Sequence, residues 1–153
     1  MARGGCGVPV RERWRRTSPI PWSTRECLDL LLPPIAVDRR IEACYLFGSR
    51  VTGTDTPNSD LDVAVHTVGE FTGDDLLALG ADFTRLLRSD RLHIVWLNRA
   101  DPVVAFSVVR DGRLLCYRDA ERLNAIERRL TLQYRDHMLY LRRRRNRRSG
   151  LPA

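Results

Sequence analysis

The 153-residue sequence predicts an α/β (α+β) domain, a small mixed β-sheet with flanking helices. Two observations carry that expectation. Short apolar, β-branched runs alternate with amphipathic stretches in the order α-β-β-α-β-α-β-α, each bounded by Gly, Pro, Asp or Ser. A hydrophobic content of 43% in a chain of this length also supports one core and one domain, without need of disulfides.

The elements follow in order. Residues 1–22 mix Gly, Pro and Arg without periodicity and read as a flexible N-terminal extension. Ser23 or Thr24 caps a short helix, 25-RECLDLLL-32, which Pro33 and Pro34 are expected to end. A strand at 43-ACYLF-47 runs into a Gly-Ser turn, and 61-LDVAV-65 is a second strand. Gly73 and Asp74 open an amphipathic helix with Leu76, Leu79, Phe83 and Leu86 at helical spacing. The run 92-LHIVWL-97 is a third strand. Asp101-Pro102 then places a capping carboxylate before a first-turn proline, and that helix stops at Asp111-Gly112. After a short strand, 113-RLLCY-117, a long helix from about Glu121 to Arg143 carries Leu123, Ile126, Leu130, Tyr134, Met138 and Leu141 as one apolar stripe. The domain therefore reads as 23–143, with 144–153 an arginine-rich flexible tail.

Composition excludes several classes. No apolar run approaches a membrane span, and no apolar segment follows the N-terminal arginines as in a secretory signal, so the expectation is a cytoplasmic protein. Cys6, Cys27, Cys44 and Cys116 are widely separated and form no CxxC pair, which argues for reduced thiols rather than a disulfide framework or a zinc site. The net charge is +7 and every basic residue other than histidine is arginine; 11-RERWRR-16 and 142-RRRRNRR-148 hold much of the excess. Such runs suit RNA or an acidic partner, yet charge alone does not make a nucleic-acid binder, and a solvated arginine-rich tail accounts for them equally.

The chemistry concentrates in 46-LFGSRVTGTDTPNSDLDVAV-65. Side chains alternate along a strand, so Asp60 and Asp62 share a face while Leu61 and Val63 point into the core. Two neighbouring carboxylates repel unless a cation holds them, and Mg²⁺ prefers such oxygens, completing its shell with water and substrate phosphates. Gly48 and Ser49 offer a close-approaching amide and a hydroxyl to those phosphates, Gly53 lets the loop bend back, and Ser59 caps or orients the acidic strand. A DxD alone is common in exposed strands; the whole arrangement is far more specific and points to nucleoside-triphosphate binding with metal-assisted transfer.

Residues 48–65 resemble the signature of the polymerase-β-like nucleotidyltransferases, in particular the single-domain minimal nucleotidyltransferases of the MntA-like antitoxin branch. The stretch 96-WLNRADPVVAFSVVRDGRLLCYRD-119 is similar to that branch as well, so the likeness covers roughly residues 25–140. The resemblance implies a polymerase-β-like fold, with Gly48 and Ser49 at the ATP triphosphate and Asp60 and Asp62 as catalytic, Mg²⁺-binding carboxylates. Arg50 lies beside the phosphate loop, where it either adds charge or is surface arginine. Members of this branch pair with HEPN-type ribonuclease toxins, and some transfer AMP from ATP to a toxin tyrosine.

One departure stands out. The family usually carries a third carboxylate on the next core strand, and here that strand reads 91-RLHIVWLNR-99, with His93 and Trp96 in its place. Three readings stay open. His93 accepts the nucleophile's proton, as an imidazole near neutral pKa can; Asp90 reaches the metal in another register; or the third group is lost, leaving an antitoxin that works by binding alone. Transfer to RNA or to a small hydroxylated molecule is less favoured, because such enzymes generally add a substrate domain.

Overall fold

The structure is a computed structural model that describes residues 18–56 and 58–149. Expectations for residues 1–17, including Cys6 and the first arginine run, and for 150–153 lie outside the described residues. The elements are α1 (Thr24–Val37), β1 (Ile41–Phe47), α2 (Ser49–Thr52), β2 (Leu61–Thr67), α3 (Gly73–Leu87), β3 (Leu92–Trp96), α4 (Pro102–Asp111), β4 (Arg113–Tyr117) and α5 (Ala120–Ser149).

The strands form one mixed sheet in the order β3-β2-β1-β4. β1 pairs antiparallel with β2 and with β4, while β2 and β3 are parallel and joined through α3. The sheet has two cores. On one face Leu46, Leu61, Val63 and Val65 meet Cys27, Leu31 and Ile35 of α1 and Phe83 and Leu87 of α3. On the other, Ala43, Tyr45, Ala64, Val95 and Leu97 meet Ala105 and Val108 of α4 and Leu123, Ile126 and Leu130 of α5. Burial on both faces makes β1 and β2 almost continuously apolar, as central strands of a helix-covered sheet require.

The capping signals act as the sequence suggests. The Ser23 hydroxyl accepts from the Glu26 amide while the Glu26 carboxylate accepts from the Ser23 amide, a reciprocal capping box. Asp101 accepts from the Val103 amide ahead of Pro102. Gly112 ends α4 where a Cβ would lie 2.3 Å from the Val108 carbonyl oxygen and 3.1 Å from that of Leu46. Only glycine lets β4 start that close to β1.

Several boundaries differ from the sequence reading. α1 does not end at Pro33-Pro34 but runs to Val37 with both prolines inside it. Continuing brings Ile35, 1% exposed, onto the core beside Leu31, and this burial outweighs two missing amide donors. The Gly-Ser turn winds into the single helical turn α2. On α3 it is Leu87, not Leu86, that is fully buried; Leu86 is partly exposed. α5 passes Arg143 and continues to Ser149. Its apolar stripe is also split. Leu123, Ile126 and Leu130 are buried and Tyr134 stacks on Phe106 at 4.1 Å, whereas Met138, Leu139, Tyr140 and Leu141 are 40–59% exposed. Of the expected N-terminal extension, Ile20 and Trp22 pack against the α1 core.

Candidate active site

β1 delivers Phe47 opposite Asp62 of β2, so the Gly48 turn begins beside the acidic strand. Gly48 has φ 76° and ψ −158°, a region that only glycine occupies without strain. The close approach is equally demanding: a Cβ on Gly48 would lie 2.2 Å from Asp62 Oδ2. The chain then turns into α2, where the Val51 and Thr52 amides donate to the Gly48 carbonyl at 3.1 and 3.4 Å. The amides of Ser49 and Arg50 precede these bonds, and the first amides of a helical turn have no partner within it. Gly53, φ 72°, closes the turn in the left-handed region, and the Thr54 amide reaches back to the Ser49 carbonyl at 3.2 Å.

Arg50 and Ser59 hold the loop together. The Arg50 guanidinium donates to the carbonyls of Asp60 (3.3 Å) and Ser59 (3.2 Å) and to the Thr24 hydroxyl (3.2 Å), so its contacts brace the return of the loop onto α1. The Ser59 hydroxyl accepts from the Thr56 amide at 2.8 Å and closes the bend that leads into Asp60.

The parallel β2–β3 register sets Asp62 against His93, with Leu61 against Leu92. The alternation that buries Leu61 and Val63 turns Asp60 and Asp62 to the opposite face, where each meets a base. Arg91 Nη1 lies 3.6 Å from Asp60 Oδ1, and His93 Nδ1 lies 3.3 Å from Asp62 Oδ1. Burial raises the Asp62 carboxyl above its ordinary value, opposed by the His93 hydrogen bond. Asp62 is thus a desolvated carboxylate short of positive charge, whereas Asp60 is more open. His93 is exposed and packs edge-on against Phe47, with ring centroids 6.2 Å apart.

The structure brings together Gly48, Ser49, Asp60, Asp62 and His93 around one sheet end. It separates the other residues considered for the third position. Trp96 lies on the α1–α3 face, its indole N–H donating to the Thr67 hydroxyl at 2.8 Å. Asp90 sits in the turn before β3 and lines a shallow hollow with Ser18, Thr84, Arg88 and Ser89. Sequence reading passed over Arg91, although its period-two spacing from His93 in 91-RLHIV-95 put it on the Asp60 face. Its guanidinium also donates to the Asn58 carbonyl and so anchors the loop from the β3 side.

Asp60 and Asp62 are the oxygen donors available to a cation. Their donor set suits a hard divalent ion, and the raised pKa of Asp62 is what a carboxylate short of its counter-charge shows. Among the described residues no group of three or more His, Cys, Asp or Glu is gathered to hold a metal. Water and phosphate oxygens would therefore complete the shell.

Comparison with known proteins agrees with this geometry. The family model described as Polymerase beta, Nucleotidyltransferase matches residues 33–121, more than half of the chain, including Gly48, Asp60, Asp62 and His93. The chain belongs to the polymerase β nucleotidyltransferase family. No curated protein gives a significant sequence match. Among solved structures, a chain of a toxin–antitoxin crystallised with AMP-PNP is 25% identical with a TM-score of 0.64, over 78% of this chain and 93% of that one. A chain from the tri-AMPylated Shewanella oneidensis HEPN toxin in complex with MNT antitoxin is 21% identical, TM-score 0.60, over 80% and 93%. A chain of the toxin–antitoxin MntA-HepT is 18% identical, TM-score 0.56, over 82% and 95%. The last two likenesses show the fold.

Proposed function

We propose that this nucleotidyltransferase is an antitoxin that transfers AMP from ATP, with Mg²⁺, to a tyrosine of a HEPN-type ribonuclease toxin. The observation that carries this reading is the contact between Gly48 and Asp62, which brings the phosphate-loop turn and the acidic strand within one atom's width. The similar solved chains described as toxin–antitoxin complexes, one with AMP-PNP and one with an AMPylated toxin, support the partner and the nucleotide. We infer the cytoplasm as the compartment, where ATP is available and Cys27, Cys44 and Cys116, free thiols in the structure, are reduced at rest.

In this mechanism the amides and hydroxyl at Gly48-Ser49 orient the triphosphate, and Arg50 and Arg91 keep the loop in place. Asp60 and Asp62 would hold Mg²⁺, which when bound lowers the charge on the phosphates and orients them for in-line displacement. The tyrosine oxygen attacks the α-phosphorus, the bond to the β-phosphate oxygen breaks, and pyrophosphate leaves. The phenolic proton goes to His93, whose side chain is exposed and whose Nδ1 lies 3.3 Å from Asp62 Oδ1. The exposed Met138–Leu141 segment of α5, followed by six arginines before Ser149, supplies an apolar and cationic surface for a toxin with an acidic face.

A second reading, an antitoxin acting by binding alone, is favoured by one observation: the residue opposite Asp62 on β3 is an imidazole rather than a carboxylate. Intact-mass spectrometry of the partner after incubation with this protein, ATP and Mg²⁺ separates the two. AMP added by the wild type and not by Asp60→Asn/Asp62→Asn establishes transfer. An unmodified partner in a tight complex with both proteins overturns it.

A further inference from the structure

Two cysteines far apart in the sequence meet across the β1–β4 pair. Cys44 stands opposite Cys116 in antiparallel register, and both side chains lie on the α1 face of the sheet. Cys44 is fully buried and Cys116 partly exposed. The two thiols face each other closely enough to shift each other's acidity.

Directly opposed residues of an antiparallel pair hold their Cβ atoms about 4.5–5.5 Å apart. A disulfide needs about 3.5–4.5 Å between them. Closing the bond therefore asks an approach of about 1 Å. β4 can supply it: it is an edge strand, bonded to the sheet on one side, and its ladder with β1 shifts register between Cys44 and Tyr45. Cys27, the other described free thiol, donates instead to the Trp22 carbonyl at 3.8 Å.

We propose that Cys44 and Cys116 are a reversible redox site, in which a peroxide oxidises Cys116 and Cys44 resolves it to an intramolecular disulfide tying β4 to β1.

The two thiols divide the roles. The facing Cys44 thiol holds the Cys116 thiol down to about 7, against the effect of burial, and the Arg118 guanidinium assists. The same interaction, with burial, raises Cys44 well above its ordinary value. Cys116 is thus both the accessible sulfur and the one with thiolate character, the combination that sets thiol reactivity. Its sulfur attacks one peroxide oxygen, the O–O bond breaks, and the departing hydroxide leaves as water after taking a proton. Cys116 then carries a sulfenic acid. The Cys44 sulfur attacks it, the S–OH bond breaks, and the hydroxide leaves with the Cys44 proton as a second water. Two thiols and one peroxide become one disulfide and two waters, and a dithiol reductant reverses the change with two electrons and two protons.

The bond would act on the strand that serves the proposed site, though the proposal does not depend on nucleotide transfer. Leu46 pairs with Arg113 at the start of β4 and leads through Phe47 into the Gly48 turn.

The test treats the reduced full-length protein with hydrogen peroxide, blocks remaining thiols with an alkylating reagent, and maps the peptides by mass. The expected result is loss of two hydrogens, joined Cys44 and Cys116 peptides, and return to the starting mass with dithiothreitol. Cys116→Ser abolishes the link. Cys44→Ser leaves a Cys116 sulfenic acid that dimedone traps, and Cys27→Ser changes nothing. Circular dichroism of Cys116→Ser confirms that its fold is retained. A link through other cysteines or between two chains overturns the proposal. So does a Cys116 that stays reduced while Met138 is oxidised, or one that proceeds to the sulfinic acid unlinked.

Discussion

Replacing Gly48 with alanine tests the site and the fold at one position. The Gly48 backbone lies where a non-glycine residue is strained by roughly 1–3 kcal/mol. The new Cβ would also meet Asp62 Oδ2 at 2.2 Å. That is more than about 1 Å inside van der Waals contact, so Asp62 must swing away, and repacking of this kind costs roughly another 1–3 kcal/mol. Gly53→Ala is the internal control. Its φ of 72° is left-handed too, but nothing lies within 4 Å of an added Cβ, so only a backbone cost of about 1–2 kcal/mol applies. Urea denaturation should therefore rank wild type above Gly53→Ala and Gly53→Ala above Gly48→Ala, the last losing roughly 2–6 kcal/mol in total. Titration calorimetry with Mg²⁺ and a non-hydrolysable ATP analogue should find binding kept in Gly53→Ala and lost in Gly48→Ala. Equal stability losses, or undiminished nucleotide affinity in Gly48→Ala, would refute the reasoning.

Other perturbations follow from the same structure. Asp62→Asn removes a desolvated charge, so the protein should unfold at equal or higher denaturant concentration while Mg²⁺-dependent nucleotide binding disappears, which calorimetry reads directly. If His93 takes the tyrosine proton, His93→Ala should slow AMP transfer roughly 100-fold with nucleotide affinity unchanged, and single-turnover mass spectrometry measures both. His66 is 4% exposed and accepts from the Arg129 guanidinium at 2.7 Å; burial first, and that guanidinium second, lower its pKa to about 4. The unfolded chain then binds the extra proton as pH falls from 6.5, so His66 contributes full stability above 6.5 and loses it progressively toward pH 4, by up to roughly 3 kcal/mol. Comparing urea midpoints of wild type and His66→Gln at pH 7 and 4.5 should show the smaller acid loss in the variant. Met138→Glu/Leu141→Glu alters exposed side chains, so stability should stay within about 0.5 kcal/mol while toxin affinity, measured by surface plasmon resonance, falls at least about tenfold.

The sequence made most of the fold legible because its signals were local. Ser23 with Glu26, Asp101-Pro102 and Asp111-Gly112 each act through the neighbouring backbone, and the helix end that each one marks lies where it was expected. Where the outcome depended on partners distant in the chain, local signals fell short. The double proline in α1 is overruled by the burial of Ile35, and the α5 stripe gives no sign that its packing stops past Tyr134, which rests on Phe106 of α4. The candidate site follows the same division. Gly48, Ser49, Asp60 and Asp62 form one continuous stretch, whereas the place of His93 beside Asp62 depends on a parallel register that no short-range pattern encodes. The Cys44–Cys116 pairing was hidden for the same reason.

That register also isolates position 93 from the core. Leu92 and Ile94 pack with the core under the sheet, while the residue between them faces solvent beside Asp62 and is not among the buried side chains that hold the domain together. One codon change there exchanges an imidazole for a carboxylate and, beyond the edge contact with Phe47, leaves the core packing untouched. Position 93 can therefore change without rebuilding the domain, so the group set beside Asp62 varies while the sheet and its two cores keep their shape.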